Sequence, residues 1–195
     1  MVRQLKIKKN HIIGIDEAGR GPLAGPVVVA GVKLKSRNKN LKIFRHIRDS
    51  KKLSQKQREE WFSLLTAHPA LDWAFSKVWP KVIDRINIAK AANLGAERVY
   101  RRLAQGVTLP AVLDGSLYLS RHIPHEVIIK GDENISVIAA ASIIAKVTRD
   151  KTMLRLHKKY PQYRFDLHKG YGTKLHKILL KQFGASKIHR KSFKI

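Results

Sequence analysis

Two apolar runs, Ile12–Ile15 and Val27–Val32, stand either side of a turn dense in glycine and proline, running from Gly19 to Pro26. Short β-branched runs bounded by turn residues read as strands. The stretch therefore reads as a strand pair, His11–Ile15 and Val27–Leu34, closed across the turn. The first strand runs out on two adjacent carboxylates, Asp16 and Glu17.

Those acids matter because the chain is so basic. It carries 40 Lys plus Arg against 14 Asp plus Glu, a formal charge of +26. Such a chain attracts polyanions. Carboxylates set against a phosphate backbone would repel it unless a divalent cation lay between, because hard cations take oxygen ligands and bridge to phosphate. The plain alternative is a solvated acidic turn. Gly19 and Gly21 let backbone amides approach a ligand closely. Their G-x-G-x-x-x-G spacing is one residue too long for dinucleotide binding, and no Gly-Lys-Ser/Thr follows to make a phosphate loop. A glycine hairpin with one exposed arginine is the alternative.

At 195 residues and 44% hydrophobic content, the chain has enough apolar material for one good core and a small appendage. Cysteine is absent. That excludes disulfides, thiolate metal sites and a cysteine nucleophile, and fits a reducing cytosol. No apolar run nears the roughly 20 residues of a membrane span. The first ten residues lack the apolar core of a secretory signal. The expectation is a cytoplasmic, non-membrane monomer.

Further along, Asp49-Ser50-Lys51-Lys52-Leu53-Ser54 precedes a helix opened by a capping box, Ser54 with Gln57. Trp61, Leu64 and Leu65 form that helix's apolar face. Ser50 and Lys51 read equally as phosphate ligands or as a capped surface loop. Asp72–Val78 reads as a third strand ended by Pro80, and Ile83–Leu103 as a helical region terminated by Gly106. Ala111–Asp114 is a short buried strand that, like the first, ends in an acid. If it lies parallel beside the first, Asp114 meets Asp16 at one sheet edge, where α/β proteins bind ligands.

Glu126–Lys130 reads as a fifth strand. After Asp132 and Glu133, the segment from Ile135 to Asp150 is apolar nearly all round and reads as a buried helix. Ser142, Lys146 and Arg149 share one of its faces, suited to a scissile phosphate or to snorkelling into solvent. His122 and His125 read as loop residues. No acid follows Asp166. Tyr171, bracketed by Gly170 and Gly172 in a basic loop, could lie flat on a sugar or base; a core tyrosine is the alternative. Leu175, Ile178, Leu179 and Phe183 mark a last helix closed by Gly184, and Arg190–Lys194 reads as a mobile basic tail.

Several blocks together resemble ribonuclease HII. They are D-E-A-G-R-G-P-L-A-G-P-V at 16–27, D-S-K-K-L-S at 49–54, L-D-G at 113–115, K-G-D at 130–132, A-A-A-S-I-I-A-K-V-T-R-D at 139–150 and H-K-G-Y-G-T at 168–173. The closing I-H-R-K-S-F is also similar to that family's tail. The resemblance implies an RNase H-like α/β fold, a central mixed five-stranded sheet flanked by helices with a small C-terminal helical appendage. It places a catalytic domain at 1–164 and the basic appendage at 165–195.

It also implies an endonuclease acting on the RNA strand of RNA–DNA hybrids and on single ribonucleotides in duplex DNA, cutting on the 5′ side. The products would carry 3′-hydroxyl and 5′-phosphate ends. By the same resemblance, Asp16, Glu17, Asp114 and Asp132 bind two Mg²⁺ or Mn²⁺ ions. Gly19, Arg20 and Gly21 read the ribose 2′-hydroxyl, Tyr171 packs on the neighbouring deoxyribose, and Ser142 and Lys146 lie near the substrate backbone, with Ser50 and Lys51 in the matching D-S-K block kept as substrate-binding candidates. Glu133 departs from the family pattern as a fifth acid near the metals, to ligate, tune affinity or face solvent. Two other readings account for the charge: a non-catalytic basic RNA-binding or packaging protein, and a metal-dependent DNA nuclease on the same fold.

Overall fold

The computed structural model describes residues 12–35, 42–45, 47 and 53–194. Ser50 and Lys51 lie outside the described residues, as does His11. Five strands form one sheet: β1 (Ile13–Ala18), β2 (Val27–Leu34), β3 (Leu71–Val78), β4 (Ala111–Asp114) and β5 (His125–Ile128). Their order is β3-β2-β1-β4-β5. β1 pairs antiparallel with β2 and parallel with β4, so the sheet is mixed and β1 is central.

Helices cover both faces. One face carries α2 (Pro80–Ile86) and α3 (Ile88–Ala104). Their buried side chains pack on Ile13, Ile15, Val27 and Val29. The other carries α1 (Gln55–Ala67) and the long helix α5 (Ser136–Lys159), with Ala30 and Val32 in that core. The alternation of strand side chains sends odd residues of β1 to the α3 face and even ones to the α5 face. Gly14 therefore faces α5, where a Cβ would come within 2.6 Å of the Val137 backbone. That close approach seats the start of α5 flush on the central strand, next to Asp16.

A short turn of helix, α4 (Gly131–Asn134), precedes α5. Beyond α5 come α6 (Phe165–His168) and α7 (Lys174–Phe183), packed around Tyr163, Phe165 and Met153. Among the described residues no helix is long and apolar enough to cross a membrane.

Several local expectations need correction. The first strand does not stop at Ile15; β1 runs on to Ala18 and includes both Asp16 and Glu17. Pro80 opens a helix instead of merely ending a strand. The region 83–103 is two helices, broken at Asn87, whose φ is 66° and whose side chain accepts from the Lys90 amide. An asparagine tolerates that left-handed φ and caps the next helix at once. On α1, Leu65 is buried but Leu64 is 57% exposed. β5 starts at His125 and ends at Ile128, because Lys130 turns left-handed (φ 55°) to begin α4. Arg190 is not part of a free tail; it is 3% exposed.

Candidate active site

The parallel register Ile13↔Ala111, Gly14↔Val112, Ile15↔Leu113 carries β1 and β4 to the same edge, where Asp16 and Asp114 come next in each strand. α4 adds Asp132. One carboxylate oxygen from each of the three lies within 4.8 Å of the others. Asp16 and Asp132 are buried, at 4% and 2% exposure. Asp114 is partly open to solvent.

Backbone amides fix these acids. The Glu17 amide donates to Asp16 Oδ1 at 2.7 Å. Asp114 Oδ1 accepts from the Gly131 amide at 2.6 Å and the Asp132 amide at 3.4 Å. The Ser142 hydroxyl, presented by α5, hydrogen-bonds Asp16. Burial, then repulsion from Glu17 and Asp114, pushes Asp16 well above the usual carboxylate range despite those bonds. Glu17 is also raised, by burial first, with Arg20 opposing.

Glu17 stands outside the close group of three. Strand alternation points it away from Asp16, and its Oε1 faces Arg20 Nη1 at 3.4 Å. Its Oε2 is buried without a hydrogen-bond partner. It still lines the same cleft, an opening of about 370 Å³ that Asp16, Asp114 and Ser142 also border. Glu133, the fifth acid, is exposed and lies 3.8 Å from Lys130 Nζ, outside the close group.

The rest of the cleft wall is cationic and aromatic. Gly19, Arg20, Lys146 and Tyr171 border it, and so does Arg58 of α1. Tyr171 is 43% exposed, so it is not a core tyrosine. Lys146 Nζ pairs with Asp150 at 3.0 Å and lies 5.9 Å from the Tyr171 ring centroid. Arg58 was missed because its charge on an ordinary helix face carries no motif.

Arg149 is not available to a phosphate. It is fully buried and donates to the carbonyls of Pro26, Ala24 and Lys169. Its guanidinium packs against Tyr171 with its carbon 5.5 Å from the ring centroid. It also fills the space beside Gly19, whose φ is +94° and whose missing Cβ would collide with it. The glycine turn thus wraps a buried cation. The spacing that grouped Arg149 with Ser142 and Lys146 could not reveal this, since its partners are backbone carbonyls remote in sequence.

The ribonuclease HII family profile matches residues 13–195. The ribonuclease HII of Dechloromonas aromatica is 45% identical over 190 residues, covering 97% of this chain and 94% of that protein. That of Chlamydia muridarum is 48% identical over 186 residues, covering 94% and 82%. Among solved structures, ribonuclease HII of Archaeoglobus fulgidus, determined as a complex with PCNA, aligns with a TM-score of 0.77 at 27% identity over 95% of this chain and 96% of that one. Ribonuclease H2 of Pyrococcus horikoshii aligns at 0.67 and 28% identity over 94% and 93%. The mixed sheet with helices on both faces and helices at the C-terminus is the RNase H-like fold of these neighbours. By sequence, by fold and by the acids gathered at one sheet edge, the chain belongs to the ribonuclease HII family.

Proposed function

We propose that this protein is a divalent-metal-dependent endoribonuclease of the cytoplasm, acting as a monomer. It hydrolyses the RNA strand of RNA–DNA hybrids and cuts on the 5′ side of single ribonucleotides embedded in duplex DNA. The products carry 3′-hydroxyl and 5′-phosphate ends. The reading takes 1–164 as the catalytic unit and 165–195 as its appendage. The observation that carries it is the mutual approach of Asp16, Asp114 and Asp132 within 4.8 Å in a chain of charge +26. Family membership supports it.

The acids fit a hard cation. They offer only oxygen, they repel one another in a buried setting, and Glu17 Oε2 lacks a partner. Asp16, Glu17, Asp114 and Asp132 would hold Mg²⁺ or Mn²⁺. Two such ions, when bound, supply an activated water and charge stabilisation at the leaving 3′-oxygen.

The chain's own residues do the rest. Ser142 orients Asp16, and the Gly131 amide orients Asp114. The Gly19-Arg20-Gly21 turn meets the 2′-hydroxyl, a donor and acceptor that distinguishes RNA from DNA at one position. Tyr171 offers a flat face to the adjoining sugar. Ser142 and Lys146 lie along the substrate backbone, and Ser50 and Lys51 would hold a phosphate of it. The basic surface holds the duplex without reading its sequence, so affinity falls with salt.

The deciding experiment incubates a duplex bearing one ribonucleotide with the protein in Mg²⁺ or Mn²⁺, with and without EDTA. An all-DNA duplex is the control. Metal-dependent cutting only at the ribonucleotide is expected. Binding without cutting would identify a packaging protein, and cutting of the control a DNA nuclease.

A further inference from the structure

Near the end of the described residues the chain comes back to the backbone of the glycine turn. The Arg190 guanidinium donates three ways, from Nη2 to the Gly19 carbonyl at 2.6 Å, from Nη1 to the Arg20 carbonyl at 2.7 Å and from Nε to the Gly25 carbonyl at 3.0 Å. No carboxylate shares in this set of bonds. Its own backbone amide bonds the Leu23 carbonyl at 2.8 Å, and Ile188 accepts from the Gly25 amide at 2.8 Å. The fork therefore spans both ends of the glycine turn.

His189, one residue earlier, connects through His176 to the loop that carries Tyr171. The Ser186 amide donates to His189 Nδ1 at 2.9 Å, which leaves the proton of the neutral ring on Nε2. His176 Nδ1 faces the Tyr171 carbonyl at 2.9 Å, so its proton sits on Nδ1 and its Nε2 is a free acceptor. The two Nε2 atoms lie 3.1 Å apart. The bonds then run one way: Ser186 amide to His189, His189 to His176, His176 to the Tyr171 carbonyl. Every ring nitrogen of the pair is used.

We propose that His189 and Arg190 are positioning residues, one dipeptide that sets both the glycine turn and Tyr171 for the substrate. The proposal rests on the nuclease reading above and assigns a role to the closing segment of the chain. Asp84 supports the arrangement from outside the cleft, where its carboxylate accepts from the Lys191 and Ser192 amides at 3.1 and 3.0 Å. Bulk affinity for a duplex comes from the basic surface, so displacing the glycine turn and Tyr171 should cost turnover, not duplex binding.

The test uses full-length Arg190→Lys, His189→Gln, Tyr171→Ala and the double variant of the last two, all checked for folding by circular dichroism and melting. A lysine keeps the charge but has no planar fork to span three carbonyls. Arg190→Lys is expected to lower kcat on the single-ribonucleotide duplex by about tenfold or more, the scale of a lost supporting partner. Its affinity for an all-DNA duplex should change by less than about twofold, since such affinity is set by phosphate contacts.

In the Tyr171→Ala background, His189→Gln should add little further loss, because the two act as one unit. A merely structural His189 would instead give independent losses. Unchanged kcat in folded Arg190→Lys, or losses at His189 and Tyr171 that multiply, overturns the proposal. Should Arg190→Lys not fold, Asp84→Ala decides: a smaller loss confined to kcat supports the proposal, and unchanged kcat overturns it. A wild-type protein that leaves the ribonucleotide duplex uncut overturns the nuclease reading instead, so the two failures are distinguishable.

Discussion

Asp114 Oδ1 accepts the backbone amide of Gly131 at 2.6 Å, so the acid that ends β4 also holds the turn that carries Asp132. One carboxylate thus builds part of the group to which it belongs. Asp114→Asn keeps an acceptor oxygen for that amide and should fold normally. Asp114→Ala leaves the Gly131 amide without this partner and should lose about 1 kcal/mol of stability. Both variants remove an oxygen anion from the site and should cut a ribonucleotide-containing duplex at least about 100-fold more slowly, beyond the usual cost of an outer-shell change. Thermal melting beside a cleavage assay separates the two effects.

Asp16 is buried, with Glu17 and Asp114 near enough to repel it, and its charge is disfavoured there. Above the ordinary carboxylate range the unfolded chain releases this proton more readily than the native one. Stability of the metal-free protein therefore falls as pH rises through that window. Asp16→Asn removes the penalty while its amide oxygen still accepts from Ser142 and the Glu17 amide. In EDTA at pH 7 the variant should melt above the wild type, at about 2–4 °C for each kcal/mol gained. Adding Mg²⁺ or Mn²⁺ should raise the wild type, which gains a ligand only the native state binds, and barely move the variant. Equal responses to metal in scanning fluorimetry would remove Asp16 from the ligand set.

Gly19 and Gly21 read alike in the sequence but differ in what they tolerate. Gly19 has φ +94°, and a Cβ there meets the buried Arg149 guanidinium. Gly21 has no neighbour within 4 Å of that position. Gly19→Ala should therefore destabilise the fold by about 1–3 kcal/mol or more, visible as an earlier denaturation midpoint. Gly21→Ala should leave the midpoint unchanged. Any loss of cutting by Gly21→Ala then belongs to the substrate.

How much of this was legible beforehand follows from the range of each interaction. Strand ends, caps and the buried helix are written locally, so Val27–Leu34 and the Ser54 box could be read from the sequence, whereas the approach of Asp114 to Asp16 followed only on the condition that their strands lie parallel, as they do. Asn87 was passed over because one left-handed residue within a helical pattern gives no periodic signal. Arg149 and Arg190 looked like solvent-seeking cations because their partners are backbone carbonyls, most of them more than 120 residues away. Glu17 was expected to join the other acids, yet strand alternation and Arg20 hold it outside the tight group of three. The outcome for Ser50 and Lys51 lies outside the described residues.

The three buried histidines of the C-terminal part give a pH dependence of opposite sign to that of the acids. His168 and His176 rings stack with centroids 4.3 Å apart, and His189 closes the set through its bond to His176. Burial, and then His176, pull His189 from 6.5 down to about 4. Between those values the unfolded chain binds a proton that the native one refuses, so stability drops as pH falls from about 6.5 toward 4. The added proton would sit on His189 Nδ1, set against the Ser186 amide that donates to that atom at 2.9 Å. His189→Gln cannot take up that proton in either state. The gap in melting temperature between wild type and His189→Gln should therefore move against the wild type as pH is lowered through this window. Taking the difference at each pH cancels the contribution of Asp16 and Glu17, which both proteins share. A gap that stays constant from pH 7 to pH 4.5 would mean that His189 is not held neutral by its surroundings.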